Sequence, residues 1–240
     1  MPQSSVNTRS AIYENEYYNA SSEGFEVYNL DISTEHYIAK ATISGGVNAL
    51  TLLDGIVYIG TTNSGIYSIP VTSVTGTDTT IVQDLNSYLS VFKQYPDITG
   101  DNIVDLDAAG DYLTTITTSG IDHFNLGHSD AYYRTYATTP GMTKCAQSER
   151  GKFYYLDGST EVYTIYTHQC DWNENSIGYN YTSTSGYLFP SNCYINDLDV
   201  MDDGTGTCVL YFATTSGVVV IEENSGDEEN ARYKHYLLEV

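Results

Sequence analysis

The segment Tyr17-Tyr18-Asn19-Ala20-Ser21-Ser22-Glu23-Gly24-Phe25-Glu26-Val27-Tyr28 returns 41 residues later as Tyr58-Ile59-Gly60-Thr61-Thr62-Asn63-Ser64-Gly65-Ile66-Tyr67-Ser68-Ile69. The same pattern reappears around Gly120, Glu161 and Gly217, so that anchors at 24, 65, 120, 161 and 217 are separated by 41, 55, 41 and 56 residues. Internal repeats of this length restrict a chain to solenoids, propellers or arrays, because each unit cannot bury its apolar face alone. Five units in 240 residues fit one repeat domain better than two independent ones.

Each unit reads as four short β runs. In the second, Ala49-Leu50-Thr51-Leu52 alternates, Asp54-Gly55 supplies a hairpin turn, and Ile56-Val57-Tyr58-Ile59 forms the next strand. Asn63-Ser64-Gly65 then turns the chain into Ile66-Tyr67-Ser68-Ile69, with glycine where a short hairpin loop needs a positive φ. An outer fourth run is expected over 35–44, 79–85, 131–137, 186–189 and 231–240. Approximate unit boundaries are 6–45, 46–99, 100–140, 141–194 and 195–240. Helical periodicity is confined to Tyr88, Phe92 and Tyr95, at i, i+4 and i+7, which predicts a short amphipathic helix in an insertion.

Hairpins such as Val57-Tyr58-Ile59-Gly60-Thr61-Thr62-Asn63-Ser64-Gly65-Ile66-Tyr67 resemble those of the β-propeller superfamily. The resemblance covers nearly the whole chain and implies an all-β fold, a single five-bladed propeller of four-stranded blades with little helix. It points to no one family within the superfamily: the Trp-Asp dipeptide of WD40 repeats is absent. Five-bladed relatives include tachylectin-like lectins and several glycosidase families, but the chain lacks the Trp-rich lectin motif and is short for those enzymes.

Charge narrows the partners. With 31 Asp+Glu against 9 Lys+Arg, a formal charge of -22 repels nucleic-acid phosphates and anionic lipid, so neither nucleic acid nor membrane insertion is expected. Only 17% of residues are charged, and the polar surface is left to Ser, Thr, Asn and Tyr, which suit a pleated sheet. The N-terminus lacks the basic and apolar regions of a signal peptide. Cys145, Cys170, Cys193 and Cys208 show no zinc-ligand spacing, and only Cys170 and Cys193 are candidates for a disulfide.

Catalytic and cofactor motifs are missing. Asp97-Ile98-Thr99-Gly100-Asp101-Asn102-Ile103-Val104-Asp105-Leu106-Asp107 has the alternating oxygens of a calcium loop, yet the repeat sets 103–107 on an innermost strand aligned with 48–52. Asp105, Asp107, Asp197 and Asp199 are candidate channel acids for a hydrolase, without equivalents in the other units. No Gly-x-Ser-x-Gly and no phosphate-cradling loop occurs. The reading is therefore of a non-enzymatic protein with no cofactor and no metal.

The insertions in units two and four carry aromatic residues beyond the repeat pattern: Tyr88, Phe92 and Tyr95 in one, and Trp172, Tyr179, Tyr181 and Tyr187 in the other. Tyr and Trp give large contact area at low entropic cost, which makes these seven the candidate partner-binding residues. The composition resembles that of phage and virus structural proteins. The expected function is a tail, neck or decoration component of a virion, assembled in a host cytoplasm and docking onto other virion proteins. A glycan-binding lectin or receptor-binding adhesin recognising cell-surface glycan is the first alternative, and a small glycoside hydrolase-like enzyme the second.

Overall fold

The computed structural model describes residues 10–30, 36–75, 81–93, 97–100, 102–127, 132–137, 142–157, 161–165, 180–182, 195–202, 207–224 and 234–238. Among them the chain is all-β, and its only helical segments are two three-residue 3-10 turns, Val71–Ser73 and Asn86–Tyr88. The first sheet holds β1 (Ala11–Tyr13), β2 (Glu16–Ser21), β3 (Gly24–Asn29), β4 (His36–Thr42) and the two-residue β8 (Gln83–Asp84), in that order. β5 (Val47–Leu53), β6 (Ile56–Thr61), β7 (Ile66–Pro70) and β9 (Ser90–Lys93) make the second. The third is β10 (Ile103–Ala109), β11 (Tyr112–Thr117), β12 (Gly120–Asn125) and β13 (Tyr132–Ala137). β14 (Met142–Gln147), β15 (Phe153–Asp157), β16 (Glu161–Ile165) and β17 (Asn180–Thr182) form the fourth, and β18 (Ile195–Asp202), β19 (Thr207–Thr214), β20 (Gly217–Asn224) and β21 (Lys234–Leu238) the fifth.

The repeat has a physical basis in one hairpin device. Ser21, Thr61, Thr117 and Thr214 each close a second strand, and each hydroxyl donates to the carbonyl of the following anchor glycine: to Gly24 at 3.2 Å, Gly65 at 2.7 Å, Gly120 at 3.1 Å and Gly217 at 2.7 Å. The same oxygens accept backbone N–H groups of Glu23, Ser64, Ser119 and Ser216. A hydroxyl can donate and accept at once, which is why Ser or Thr recurs there. In the fourth sheet the corresponding pair is Asp157 opposite Glu161, and a carboxylate has no proton to give. Of the four anchor glycines, Gly24, Gly65 and Gly217 lie at positive φ, whereas Gly120 does not. The Asp54-Gly55 turn also forms as expected, with both residues at positive φ between paired Leu53 and Ile56.

By contact the chain divides into two compact units: Met1–Asp107 with Thr115–Asp122 and Thr135–Thr138, and Ala108–Thr114 with His123–Arg134 and Thr139–Val240. In the first unit, alternation along β2, β3 and β5 to β7 sends Tyr18, Phe25, Val27, Leu50, Ile59 and Ile69 into one core between the first two sheets. Sheet two also approaches β10 closely: a Cβ on Gly60 would meet Ile103 Cγ2 at 2.5 Å and Leu106 Cδ2 at 2.7 Å. Asn48 Nδ2 donates to the Ile103 carbonyl at 2.7 Å, and Thr51 Oγ1 to Asp107 Oδ1 at 3.2 Å, linking β5 to β10. In the second unit Tyr154, Leu156, Leu198, Leu210, Phe212 and Val219 form the core between the fourth and fifth sheets. Buried Lys144 lies 4.0 Å from Asp197, and Arg150 lies 3.5 Å from Asp202.

Three details differ from the sequence reading. Of the run 79–85, the described residues 81–85 do not supply the outer strand of the second sheet: Gln83 and Asp84 pair in parallel with Ala39 and Lys40 of the first, and Leu85 buries completely. The second sheet takes its outer strand from the insertion, where Ser90, Val91 and Lys93 pair with Ser68, Tyr67 and Ile66. Where a helix was expected through Tyr88, Phe92 and Tyr95, the described residues 86–93 form a 3-10 turn and a strand, since a strand there satisfies backbone groups of β7. In the fourth sheet β17 occupies the outer position, and 186–189 lies outside the described residues.

Candidate functional site

The insertion of the second repeat exposes several apolar side chains. Ile81 is 71% exposed, Val91 54% and Tyr88 46%. Their neighbours hold the segment in place. Gln83 accepts the Thr75 N–H at 2.9 Å and donates to the Ser73 carbonyl at 2.8 Å, Leu85 N–H reaches the Lys40 carbonyl at 2.8 Å, and the Asn86 side chain accepts the Thr42 N–H at 3.0 Å. Phe92 turns inward, its ring edge-on to Tyr58 with centroids 5.3 Å apart. The two described aromatics of this insertion therefore part company, Tyr88 outward and Phe92 into packing. Tyr95, Trp172, Tyr179 and Tyr187 lie outside the described residues, and Tyr181 is placed only as a backbone position in β17, opposite Thr164.

The candidate acids differ in their surroundings. Asp105 is fully buried, Asp107 accepts from Thr51, Asp197 pairs with Lys144 while accepting its neighbour's N–H, and Asp199 is exposed. Of the calcium-loop residues, 103–107 is strand, as the repeat alignment expects, and Thr99 donates its backbone N–H to Asp122 at 2.8 Å. Among the described residues no group of three or more His, Cys, Asp or Glu is placed to hold a metal ion. Cys145 and Cys208 are buried thiols, and Cys170 and Cys193 lie outside the described residues.

Two side-chain constellations escaped the sequence reading. In the second unit, Thr114 Oγ1 donates to Gln147 Oε1 at 2.6 Å and lies 2.7 Å from His123 Nδ1, all three residues being buried. Gln147 Nε2 gives its protons to the Ser148 and Lys152 carbonyls at 2.7 and 3.1 Å, so Oε1 is fixed as acceptor and the Thr114 hydroxyl must donate to it. Only a lone pair then faces His123, which assigns the proton to Nδ1. The ring stacks against Tyr112 at 5.5 Å and Phe153 at 4.9 Å. This enclosure makes the triad a packing device rather than an exposed nucleophile and base.

In the first unit, Tyr17, Tyr28 and Tyr37 stand opposite one another on β2, β3 and β4, half-buried on the face of the sheet turned from the core. Ring centroids are 6.2 Å apart for Tyr17 and Tyr28 and 5.6 Å for Tyr28 and Tyr37. Tyr28 donates to Glu26 Oε2 at 2.7 Å, whereas on the opposite face buried Tyr18 donates to Glu16 Oε2 at 2.5 Å.

Burial raises the phenols of Tyr18, Tyr37 and Tyr58 above the ordinary tyrosine range, with carboxylates adding to it: Glu16 beside Tyr18, Glu26 and Glu23 beside Tyr37, Asp54 beside Tyr58. Burial likewise raises Glu16, against the lowering effect of its bond from Tyr18. A folded value above the unfolded one means stability that is complete below the unfolded pKa and lost as pH rises through the folded one. Melting temperature is therefore expected to fall as pH climbs past about 10, where unfolded tyrosines ionise. Tyr58→Phe, which removes the phenolic hydroxyl and its proton, should flatten that decline; an unchanged alkaline slope in thermal melts counts against the assignment.

No family model matches the chain, and no curated protein does. Solved structures do. The chain is similar over 96% of its length to 27% of the extracellular domain of a hybrid two-component system from B. thetaiotaomicron, at 13% identity and TM-score 0.56. It is similar over 97% of its length to 26% of PorZ, a bacterial surface component of the type-IX secretion system of Porphyromonas gingivalis, at 11% identity and TM-score 0.56. A chain of the nidogen/laminin complex is matched over 93% of this chain and 79% of its own, at 12% identity and TM-score 0.54. The chain thus spans about a quarter of the length of the first two. At such identities the likeness shows the fold alone, an all-β architecture of repeated sheets. Among the described residues no helix is long and apolar enough to cross a membrane.

Proposed function

We propose that the chain is a non-enzymatic interaction scaffold, its five sheets the blades of one five-bladed β-propeller, which docks onto other proteins through the apolar side chains of its insertions. The observation that carries this reading is the segment 81–91. It exposes Ile81, Val82, Tyr88 and Val91 on a chain whose net charge is -22, while anchored by Leu85 and Gln83. Exposed apolar and aromatic side chains concentrated in one short, anchored segment are what an interface would use. The composition, rich in Tyr, Thr, Ser and Asn and poor in Lys and Arg, makes other virion proteins the proposed partners and a virus or phage particle the proposed location.

The test compares assembly with stability in the same protein. The double variant Tyr88→Ala, Val91→Ser changes only exposed side chains and is expected to melt within a few degrees of the parent. Central interface residues contribute about 2 kcal/mol each, so affinity for a particle partner should fall roughly thirty-fold or more. Mass spectrometry of purified particles and binding to their isolated subunits give the readout. A variant that still binds particle proteins, or a parent that binds a glycan array and no particle protein, overturns the reading.

A further inference from the structure

We propose that Tyr28 and Tyr37 form an oxidative cross-linking site, at which a one-electron oxidant acting twice joins β3 to β4 through a dityrosine bond. Three observations converge on this pair. The residues are directly opposite in the sheet register, and their rings are 5.6 Å apart at 43°, closer than the 6.2 Å that separates Tyr17 from Tyr28. Both are half-buried on the face turned from the core and so retain some exposure to an oxidant in solvent. Finally, Tyr28 carries its own base, donating at 2.7 Å to the Glu26 carboxylate.

That base matters because a phenol loses an electron easily only when its proton leaves with it. A carboxylate at hydrogen-bond distance takes the proton without diffusion. Among the described residues the Tyr17 hydroxyl reaches the Asn19 amide oxygen at 3.4 Å, a far weaker acceptor. Tyr18 has a carboxylate but is fully buried. Tyr28 alone of these three combines access with a base.

The chemistry balances as follows. The first oxidant takes an electron from Tyr28 as its phenolic proton passes to Glu26; the second takes an electron from Tyr37, whose proton goes to solvent. The two phenoxyl radicals couple through ring carbons ortho to oxygen. Each coupled carbon then gives up its hydrogen, and a proton returns to each oxygen. Two phenols become one biphenol, with a net loss of two electrons and two protons.

The experiment oxidises dilute intact protein with photogenerated ruthenium(III) tris-bipyridine, persulfate serving as electron sink. After denaturation, cleavage at Asp31 and Glu35 separates the two tyrosines, so the bond appears as two joined peptides lighter by two hydrogens. This linked species is expected to dominate, in the monomer fraction, with dityrosine fluorescence. Tyr37→Phe should abolish it, and Glu26→Gln should slow it several-fold; both leave the ring packing in place, checked by unchanged melting. Cross-links distributed over tyrosines according to exposure, with Tyr88 prominent, overturn the proposal. Joined peptides found only between molecules, or a Glu26→Gln rate equal to the parent's, do so as well.

Discussion

Gly24→Ala should be the most damaging single methyl in the first unit. A Cβ built there lies 1.9 Å from the carbonyl oxygen of Ala41, and the residue sits at φ +148°. The obstacle is backbone of β4, paired to β3 at this level, so no rotamer change can relieve the overlap. Either the Gly24-to-Thr42 end of the ladder opens or the hairpin distorts, which forfeits the Ser21 clasp as well. We expect a loss of about 4 kcal/mol or more, enough to lower the melting temperature by roughly 10 °C or to leave the protein insoluble. Gly55→Ala is the control. Its φ is +73° and its new Cβ would touch only Val71 Cγ2 at 3.6 Å, so about 1 kcal/mol of left-handed strain is all it should cost. Equal melting temperatures for the two variants would show that steric overlap with β4 is not what reserves position 24 for glycine.

Gln147→Ala should be comparably severe in the second unit. It removes the acceptor of the Thr114 hydroxyl and the donor to two carbonyls in a fully buried setting. Three hydrogen bonds are lost, and groups are left behind that water cannot reach, at about 1 to 3 kcal/mol each before any cavity is counted. We expect about 3 to 5 kcal/mol overall. Gln147→Met fills the volume without the hydrogen bonds, so comparing it with alanine separates packing from polar satisfaction. A second readout is independent of stability: once its acceptor is gone, the Thr114 hydroxyl is free to turn toward His123, moving the imidazole proton from Nδ1 to Nε2. Nitrogen chemical shifts of His123 report this directly. Parent-like stability in both variants, with the tautomer unmoved, would mean the triad does not hold the third-sheet and fourth-sheet residues of this unit together.

Strands with their own turn chemistry were legible in the sequence. The Asp54-Gly55 turn and the Gly24, Gly65 and Gly217 hairpins are local, and each carries its signal within a few residues. The outer strands β4, β13 and β21 were legible too, falling inside the expected runs 35–44, 131–137 and 231–240, but the outer strand of the second sheet was not. Ile81 and Val82 have strand-like side chains, but Ile81 is 71% exposed and the pairing goes to Gln83 and Asp84, because Leu85 is drawn into the core of the first two sheets. Which sheet an outer run joins depends on where its anchor buries, and no period along the chain encodes that.

The candidate sites were hidden for a related reason. Thr114 and His123 lie on neighbouring strands of the third sheet and Gln147 on the fourth, so the three meet only through tertiary packing, across separations of 9 and 33 residues. The tyrosine ladder is irregularly spaced because the pairing of β3 with β4 shifts between Val27 and Tyr28, so Tyr17, Tyr28 and Tyr37 show no repeat interval. Of the seven aromatics singled out by composition, Tyr88 keeps the exposed position expected of a contact residue. Phe92 serves packing against Tyr58 instead.

The short run from Gln83 to Lys93 supplies the outermost strand of the first sheet at its start and of the second at its end. Eleven residues of backbone therefore act as one latch on two doors. When Leu85 leaves its pocket, amides of β4 and β7 lose cover together, so that their hydrogen exchange should share one opening free energy although the two strands belong to different sheets. A protease cut or an oxidised side chain anywhere along the latch would be felt at both edges, and each newly bared edge is a template for pairing with another chain. Resistance to aggregation in this part of the molecule then hangs on how firmly a single leucine is seated.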